Sequence, residues 1–342
     1  MPFRFAYVCD LLEKLESLQV RDVPLLAQER RTLELSAVRI WFKSHHNLIH
    51  APDTDRAALL STLLPERRTD RVYWLREAGL IKVLGRCLGL GRDRLQILAA
   101  WTPDQHEDLA TLCYRLQSAT NASNTQQSIS IEQLDRALHR LAARCRFSGP
   151  NVRSMTQGNV SLLPDDALRP ILNRLCAREL KWFIRLILKR YDPVELDDHM
   201  ILRFVHPLLP RLLQFQSTFD AAVRILDSPL LANLRSAEDK NGFSDEVLRE
   251  ITAVYLKPQV GVKVGRPDYV KARSVKHCLN VTGKARWAIE PKYDGEYCQL
   301  HVDLTKGKNC IQIFSKSGKD STQDRRDLHA WIKAALRIGD PA

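Results

Sequence analysis

The sequence predicts a multidomain protein, with an all-α N-terminal domain over residues 1–256 and a truncated α+β domain over 257–342. Three observations predict it. Apolar residues recur every three to four positions from Phe5 to about Tyr255, the period of a helix face. The period then shifts toward two, the signature of strands, after a stretch rich in Lys and Arg and broken by Gly261, Gly265 and Pro267. Finally, two or three strands with one helix are too few to bury both faces of a sheet, so the second domain reads as cut short.

The elements follow in order. Phe5, Val8, Leu11, Leu12, Leu15 and Leu18 make one helix, and Leu33–Phe42, Ala57–Leu64 and Val72–Leu84 continue the pattern. The breakers Ala51-Pro-Asp-Thr54 and Gly89-Leu-Gly-Arg92 separate these segments, and the polar run Gln117–Ser128 reads as a loop. Ser130-Ile-Glu-Gln133 ahead of Leu134, Leu138 and Leu141 is a capping box that opens another helix. Residues 179–191 are amphipathic, with Leu180, Phe183, Ile184, Ile187, Leu188 and Tyr191 on one side. Around Asp227–Asp245 the pattern loosens into a polar connection. Beyond it, Arg286–Lys292, Tyr297–Asp303 and Cys310–Ser315 alternate as strands, with Cys298, Leu300 and Val302 sharing a face and Ile311 and Ile313 sharing another. Thr305–Asn309 would join the last two as a hairpin, and Leu328, Trp331, Ile332, Ala335 and Leu336 give a closing helix.

Composition narrows the partners. The chain has 342 residues, 44% of them hydrophobic and 27% charged, a balance that buries a real core. A net charge of +12 favours a polyanion such as nucleic acid. The eight cysteines never approach the CxxC spacing of metal or redox pairs, which predicts reduced, packed thiols in a cytosolic or nuclear protein. No secretory signal or membrane-spanning run is present, so no membrane role is expected.

Two basic regions stand out. Lys181, Arg185 and Lys189 fall at i, i+4 and i+8, one stripe along a helix. With Arg169, Arg174, Arg178 and Arg190 they make seven cations against Glu179 alone between 169 and 190. Such a stripe can follow a phosphate backbone without reading sequence, or be an ordinary solvated face. From Lys257 to Lys292, nine Lys or Arg, including Arg266, Lys271 and Arg273, stand against Asp268 and Glu290, a basic junction that faces phosphate or merely links two domains.

Lys292 carries the chemistry. It lies between an alternating segment and the Asp294-Gly295 turn, which would fix its amine, and a deprotonated fixed amine is a nucleophile. Lys292-Tyr-Asp-Gly295 has the K-x-D-G pattern of enzymes that attach a nucleotide to lysine. Two other patterns are weaker. His46 and His50 could meet on one helix face beside His45, but no third ligand stands at metal spacing. Gly85, Gly89 and Gly91 lack the strand-to-helix setting of a phosphate loop and read as a helix-ending turn.

On these residues the chain resembles the ATP-dependent DNA ligases, most closely the DNA ligase IV type. Glu290-Pro-Lys-Tyr-Asp-Gly295 with Gln299-Leu-His301 looks like the family's first nucleotidyltransferase motif, and Ile313-Phe-Ser-Lys-Ser-Gly318 with Thr322 looks like the next. Ser130-Ile-Glu-Gln-Leu134 and Lys181-Trp-Phe-Ile-Arg-Leu-Ile-Leu-Lys189 match the helical DNA-binding domain in order and spacing. The resemblance implies an ATP-grasp-like nucleotidyltransferase fold for the second domain. It implies that Lys292 attacks the α-phosphate of ATP and holds AMP as a phosphoramidate. Glu290, Pro291, Tyr293, Tyr297 and Lys316 would line the nucleotide site. Magnesium would be required, with ligands outside this chain. It further implies nicked or broken double-stranded DNA as partner, strand joining in repair and recombination, and a nuclear location.

The chain departs from the family pattern in three places. Tyr297 stands where the first motif has Arg, and a phenol brings no charge. Lys316 replaces the usual Arg of the second motif and loses the planar fork. The later motifs, with their ribose, metal and phosphate ligands, are not in the sequence, so this polypeptide alone is expected to be inactive or nearly so in sealing. Two alternatives therefore stay open: a catalytically inactive ligase-derived DNA-binding protein, and an RNA ligase or capping-type nucleotidyltransferase, against which the long helical region argues.

Overall fold

Apolar residues at helical spacing, together with capping side chains at the helix starts, shape the first part of the chain. The computed structural model describes residues 2–21, 23–104, 107–119, 128–154, 163–228, 231, 254–265, 269–283, 286–291 and 294–338. The chain divides into two compact units, residues 1–210 with 218–237 and residues 211–217 with 238–342.

The first unit is helical. α1 (Phe5–Gln19) buries Phe5, Val8, Leu11, Leu12 and Leu15, and α2 (Ala27–Ile49) lies against it. α2 is longer than Leu33–Phe42, because its flanking turns are polar but not helix-breaking. α3 (Arg56–Leu63) starts under Asp55, whose carboxylate accepts from the Ala57 and Ala58 amides. α4 (Glu77–Cys87), α5 (Arg92–Ala99) and α6 (Leu109–Ser118) follow, α6 capped by Asp108. Gly89 at φ +59 follows the C-cap of α4 and makes the expected helix-ending turn, whereas Gly85 lies within α4 and Gly91 is the N-cap of α5. The expected start at Val72 is wrong. Residues 72–76 leave helical geometry, since the Val72 amide donates to Ser148 Oγ and Trp74 adopts φ +53.

α7 (Ile131–Ala143) opens with the predicted capping box, Ser130 and Gln133 exchanging side chain to backbone hydrogen bonds. α8 (Pro150–Ser154), α9 (Pro164–Leu172), α10 (Ala177–Ile187), α11 (Asp198–Val205), α12 (Leu209–Phe215), most of whose residues belong to the second unit, and α13 (Phe219–Leu226) complete the run of helices. α10 packs on α6 and α1, and buries Trp182 and Leu186 as well as Leu180, Phe183, Ile184 and Ile187. A helix buried on both sides has no broad solvated face. Residues 120–127 of the expected loop, and all of 229–253 except Leu231, lie outside the described residues.

The second unit holds a small mixed structure. β1 (Cys298–Val302) pairs antiparallel with β2 (Ile311–Ser315), Leu300 opposite Ile313 and Val302 opposite Ile311. This puts the predicted apolar faces on one side of the hairpin. A 3₁₀ turn, Leu304–Asn309, joins the strands. α14 (Val275–Thr282) is capped by Ser274, and α15 (His329–Ala335) brings Ile332 onto a core of Cys310, Ile311 and Ile313. The expected strand Arg286–Lys292 is corrected. Residues 286–291 are exposed and unpaired with any strand among the described residues, and Pro291 has no amide to give a ladder. No helix is long and apolar enough to cross a membrane among the described residues.

Candidate nucleic-acid interface and nucleotide-attachment segment

The basic stripe Lys181, Arg185 and Lys189 is turned inward. Lys181 pairs with Glu16 at 2.5 Å, and Arg185 meets Glu16 at 2.8 Å and Asp108 at 2.8 Å. Both cations also lie over the Trp182 ring, at 5.0 and 4.8 Å from its centroid. Burial opposes ionisation of Asp108, but Thr111 and Arg185 outweigh it and hold its carboxyl below the usual range. Lys189 does not continue the helix. α10 ends at Ile187, and Lys189 takes φ +56 in a Schellman-type turn, with the Lys189 amide on the Leu186 carbonyl and the Arg190 amide on that of Arg185. Its ammonium donates to the carbonyls of Arg68 and Arg71 at 2.5 and 2.6 Å and lies 5.1 Å from the Tyr73 ring centre. The three cations are therefore struts within the helical unit, not a stripe open to phosphate. Arg169 and Arg178 are likewise paired, with Asp165 and with Asp10 and Glu13, and Arg190 pairs with Glu77.

Open cations gather elsewhere, in a cleft of about 830 Å³ bordered by α7, α9, α13 and the segment 68–71. Six arginines and three aspartates line it. The aspartates are taken: Asp70 and Asp220 by Arg68 at 2.9 and 3.0 Å, Asp135 by Arg71 at 2.5 and 2.8 Å. Arg71 is 2% exposed, so this bidentate pair is a buried one. Burial disfavours the Asp135 charge, yet Arg71, with Arg68, holds its carboxyl below the ordinary value. The remaining arginines have no acidic partner among the described residues. Arg136 and Arg140, one turn apart on α7, and Arg224 on α13 are exposed and without an acidic partner among the described residues. Among the described residues, Arg174 donates only to neutral oxygens, of Ser128 and Gln133, and neither its buried Nε nor the buried Nε2 of His139 has a partner. Burial, then the charge of Arg71, lower the pKa of His139 and so disfavour its charged form. Such a cleft attracts a polyanion and has donors left to satisfy it. Sequence reasoning missed it, although the Arg136 and Arg140 spacing on a correctly predicted helix was a usable signal.

In the second unit the attachment segment is described only at its edges. Lys292, Tyr293 and the junction residue Arg266 lie outside the described residues. Glu290 and Pro291 are exposed, as are Lys271 and Arg273 in the segment ahead of α14. Tyr297 precedes β1 and is half exposed. Lys316 is exposed in the turn after β2, which Gly318 at φ +79 closes by donating its amide to the Ser315 carbonyl. A side chain at Gly318 would collide with Lys263. Gln299 and His301 on β1 hold the incoming segment. The Gln299 amide exchanges hydrogen bonds with both the amide and carbonyl of Val264, and His301 Nδ1 accepts from the Gly261 amide at 3.0 Å. Glu296 pairs with Arg325 at 2.5 Å.

Of the three histidines of α2 and its C-cap, His45 is half-buried and His46 packs ring to ring with His50 at 4.6 Å between centroids. His45 bonds to the Trp41 carbonyl at 2.9 Å and packs on the rings of Phe3, Tyr7 and Trp41. No cluster of three or more potential metal ligands occurs among the described residues.

Comparison with known proteins identifies the scaffold. The family described as DNA ligase N terminus matches residues 4–206. DNA ligase 4 of Dictyostelium discoideum is 24% identical over 290 residues, covering 77% of this chain and 24% of that protein. DNA ligase 4 of Coprinopsis cinerea is 25% identical over 304 residues, covering 86% of this chain and 26% of its own. A probable DNA ligase of Dictyoglomus thermophilum is 26% identical over 171 residues, covering 49% and 25%. The chain spans about a quarter of the length of these relatives. With the helical unit, its open arginine cleft and a family match over more than half the sequence, the chain belongs to the DNA ligase N-terminal family.

Proposed function

We propose that this chain is the DNA-holding part, with the beginning of the adenylation domain, of an ATP-dependent DNA ligase acting on nicked or broken duplex DNA in the nucleus. The observation that carries the reading is the cleft of acid-free arginines. Arg136, Arg140 and Arg174 fall inside the region matched to the ligase family. Arginines without acidic partners around one cleft suit phosphates, whose contacts position a duplex without reading its sequence.

Lys292 is the proposed nucleophile. Its deprotonated amine forms a P–N bond at the α-phosphate of ATP while the bond to the β-phosphate oxygen breaks and pyrophosphate leaves. ATP supplies the activated phosphoanhydride. The described neighbours fit a nucleotide in kind, because Glu290 and Lys316 are exposed polar groups and Lys316 can meet phosphate with charge. The adenylyl group would pass to a 5′-phosphate as the P–N bond breaks and frees the lysine amine, and attack by a 3′-hydroxyl on that 5′-phosphate would join the strands with AMP as the leaving group. Magnesium would neutralise developing charge, and no described residue is assigned to it.

A second reading has its own observation. Tyr297 replaces a charged guanidinium with a phenol, which favours a ligase-derived protein that holds DNA without adenylating. One experiment separates the two. Wild type and Lys292→Ala are incubated with α-labelled ATP and magnesium. Label on wild type alone supports the lysyl-adenylate reading, no label leaves the DNA-holding one, and label from GTP instead would reject both in favour of a capping-type enzyme.

A further inference from the structure

Between Arg71 and α4 the backbone does something unfavourable. Trp74 adopts φ +53, a region that side chains other than Gly adopt at a cost, and its indole is 72% exposed. Neither the strain nor the exposure serves the core. The indole stacks on Phe147, with centroids 4.9 Å apart and planes 12° from parallel, and the Arg146 guanidinium lies 4.6 Å from the Phe147 ring centre. The group is rigidly mounted. Gly149 donates its amide to the Asp70 carbonyl at 2.8 Å, Val72 donates to Ser148 Oγ at 3.0 Å, and Lys189 holds the carbonyls of Arg68 and Arg71. The segments that carry the two rings also supply walls of the arginine cleft, Asp70 and Arg71 ahead of Trp74, Asn151 and Val152 just after Phe147. A flat aromatic face beside a cation is thus carried by the same two segments that line a surface with arginines free of acidic partners.

We propose that Trp74, supported by Phe147 and Arg146, is a stacking platform for an unpaired nucleobase at the end or gap of a duplex lying in the cleft. The inference rests on the reading of that cleft as the DNA surface. An exposed π-face takes any base, because every base has a matching face, while a neighbouring guanidinium favours the polyanion over an apolar peptide. A backbone strained to present one side chain is what a preset binding post requires.

The test uses the full chain and two labelled DNAs, a blunt duplex and the same duplex with a single-stranded thymidine extension, followed by fluorescence anisotropy. Trp74→Ala should weaken the extended duplex about tenfold and leave the blunt one unchanged, and Trp74→Phe should keep most of the preference. Trp74→Gly relieves the positive φ, so it should melt above Trp74→Ala yet bind the extension as weakly, which separates stacking from folding. Equal affinity of Trp74→Ala and wild type for the extended duplex would overturn the platform alone, as would an equal loss on both DNAs. A wild type that binds neither DNA would overturn the cleft reading and the platform together.

Discussion

Arg136 and Arg140 stand one turn apart on α7, as Lys181 and Arg185 do on α10, yet the two pairs meet opposite surroundings. The α10 pair faces Glu16 from α1 and Asp108 at the start of α6, and is neutralised there. The α7 pair faces a cleft whose acids are already taken by Arg68 and Arg71. Cation spacing therefore sets only which residues share a helix face. Whether that face is open depends on carboxylates far away in sequence, and buried pairing converts a potential ligand surface into internal structure.

Three perturbations break or sharpen this contrast. The largest effect is expected from Asp135→Asn, which leaves the buried Arg71 guanidinium without its carboxylate. Chemical denaturation should show a loss of about 3–5 kcal/mol. The pH dependence has a definite sign. Because the folded state holds Asp135 below its ordinary value of 3.8, its contribution is present above that pH and is lost as pH falls through the folded pKa. Wild type should lose this advantage over Asp135→Asn in acid. Glu16→Gln comes next. It removes the shared partner of Lys181 and Arg185, and should destabilise by about 1.5–3 kcal/mol while leaving the salt dependence of DNA binding as in wild type. Smallest in stability is Arg136→Glu with Arg140→Glu. Exposed and unpaired, these side chains should change unfolding by no more than about 0.5 kcal/mol, yet alter DNA binding.

Much of the helical unit was legible in the residues. The Ser130–Gln133 box located the start of α7, and the apolar spacing of Leu180, Phe183, Ile184 and Ile187 identified the buried side of α10. The alternation of Leu300 with Val302 and of Ile311 with Ile313 anticipated the apolar face of each strand, and the antiparallel register brings the two onto one side of the hairpin. The start of α4 was not legible, because Ser148, more than 70 residues away, takes the Val72 amide out of helical pairing. Nor was the inward turn of α10, since Glu16 lies 165 residues before Lys181 and no local pattern relates them. The cleft is assembled from helices distant in sequence, so its open arginines emerge only when the acids around Arg68 and Arg71 have been paired. The ligase resemblance was read from short motifs, and the family match over residues 4–206 shows the family independently of them. The role of Lys292 is a reading of its motif, and labelling decides it.

The central claim is that duplex DNA meets the α7 cleft and not the α10 face. Binding of a blunt duplex across a series of salt concentrations tests it most directly, comparing wild type, Arg136→Glu with Arg140→Glu, and Lys181→Gln with Arg185→Gln. The account predicts that the α7 variant binds more weakly, with a log–log salt slope shallower by about 2, while the α10 variant loses stability and keeps the wild-type slope. A wild-type slope in the α7 variant, with the shallower slope in the α10 variant, would contradict it.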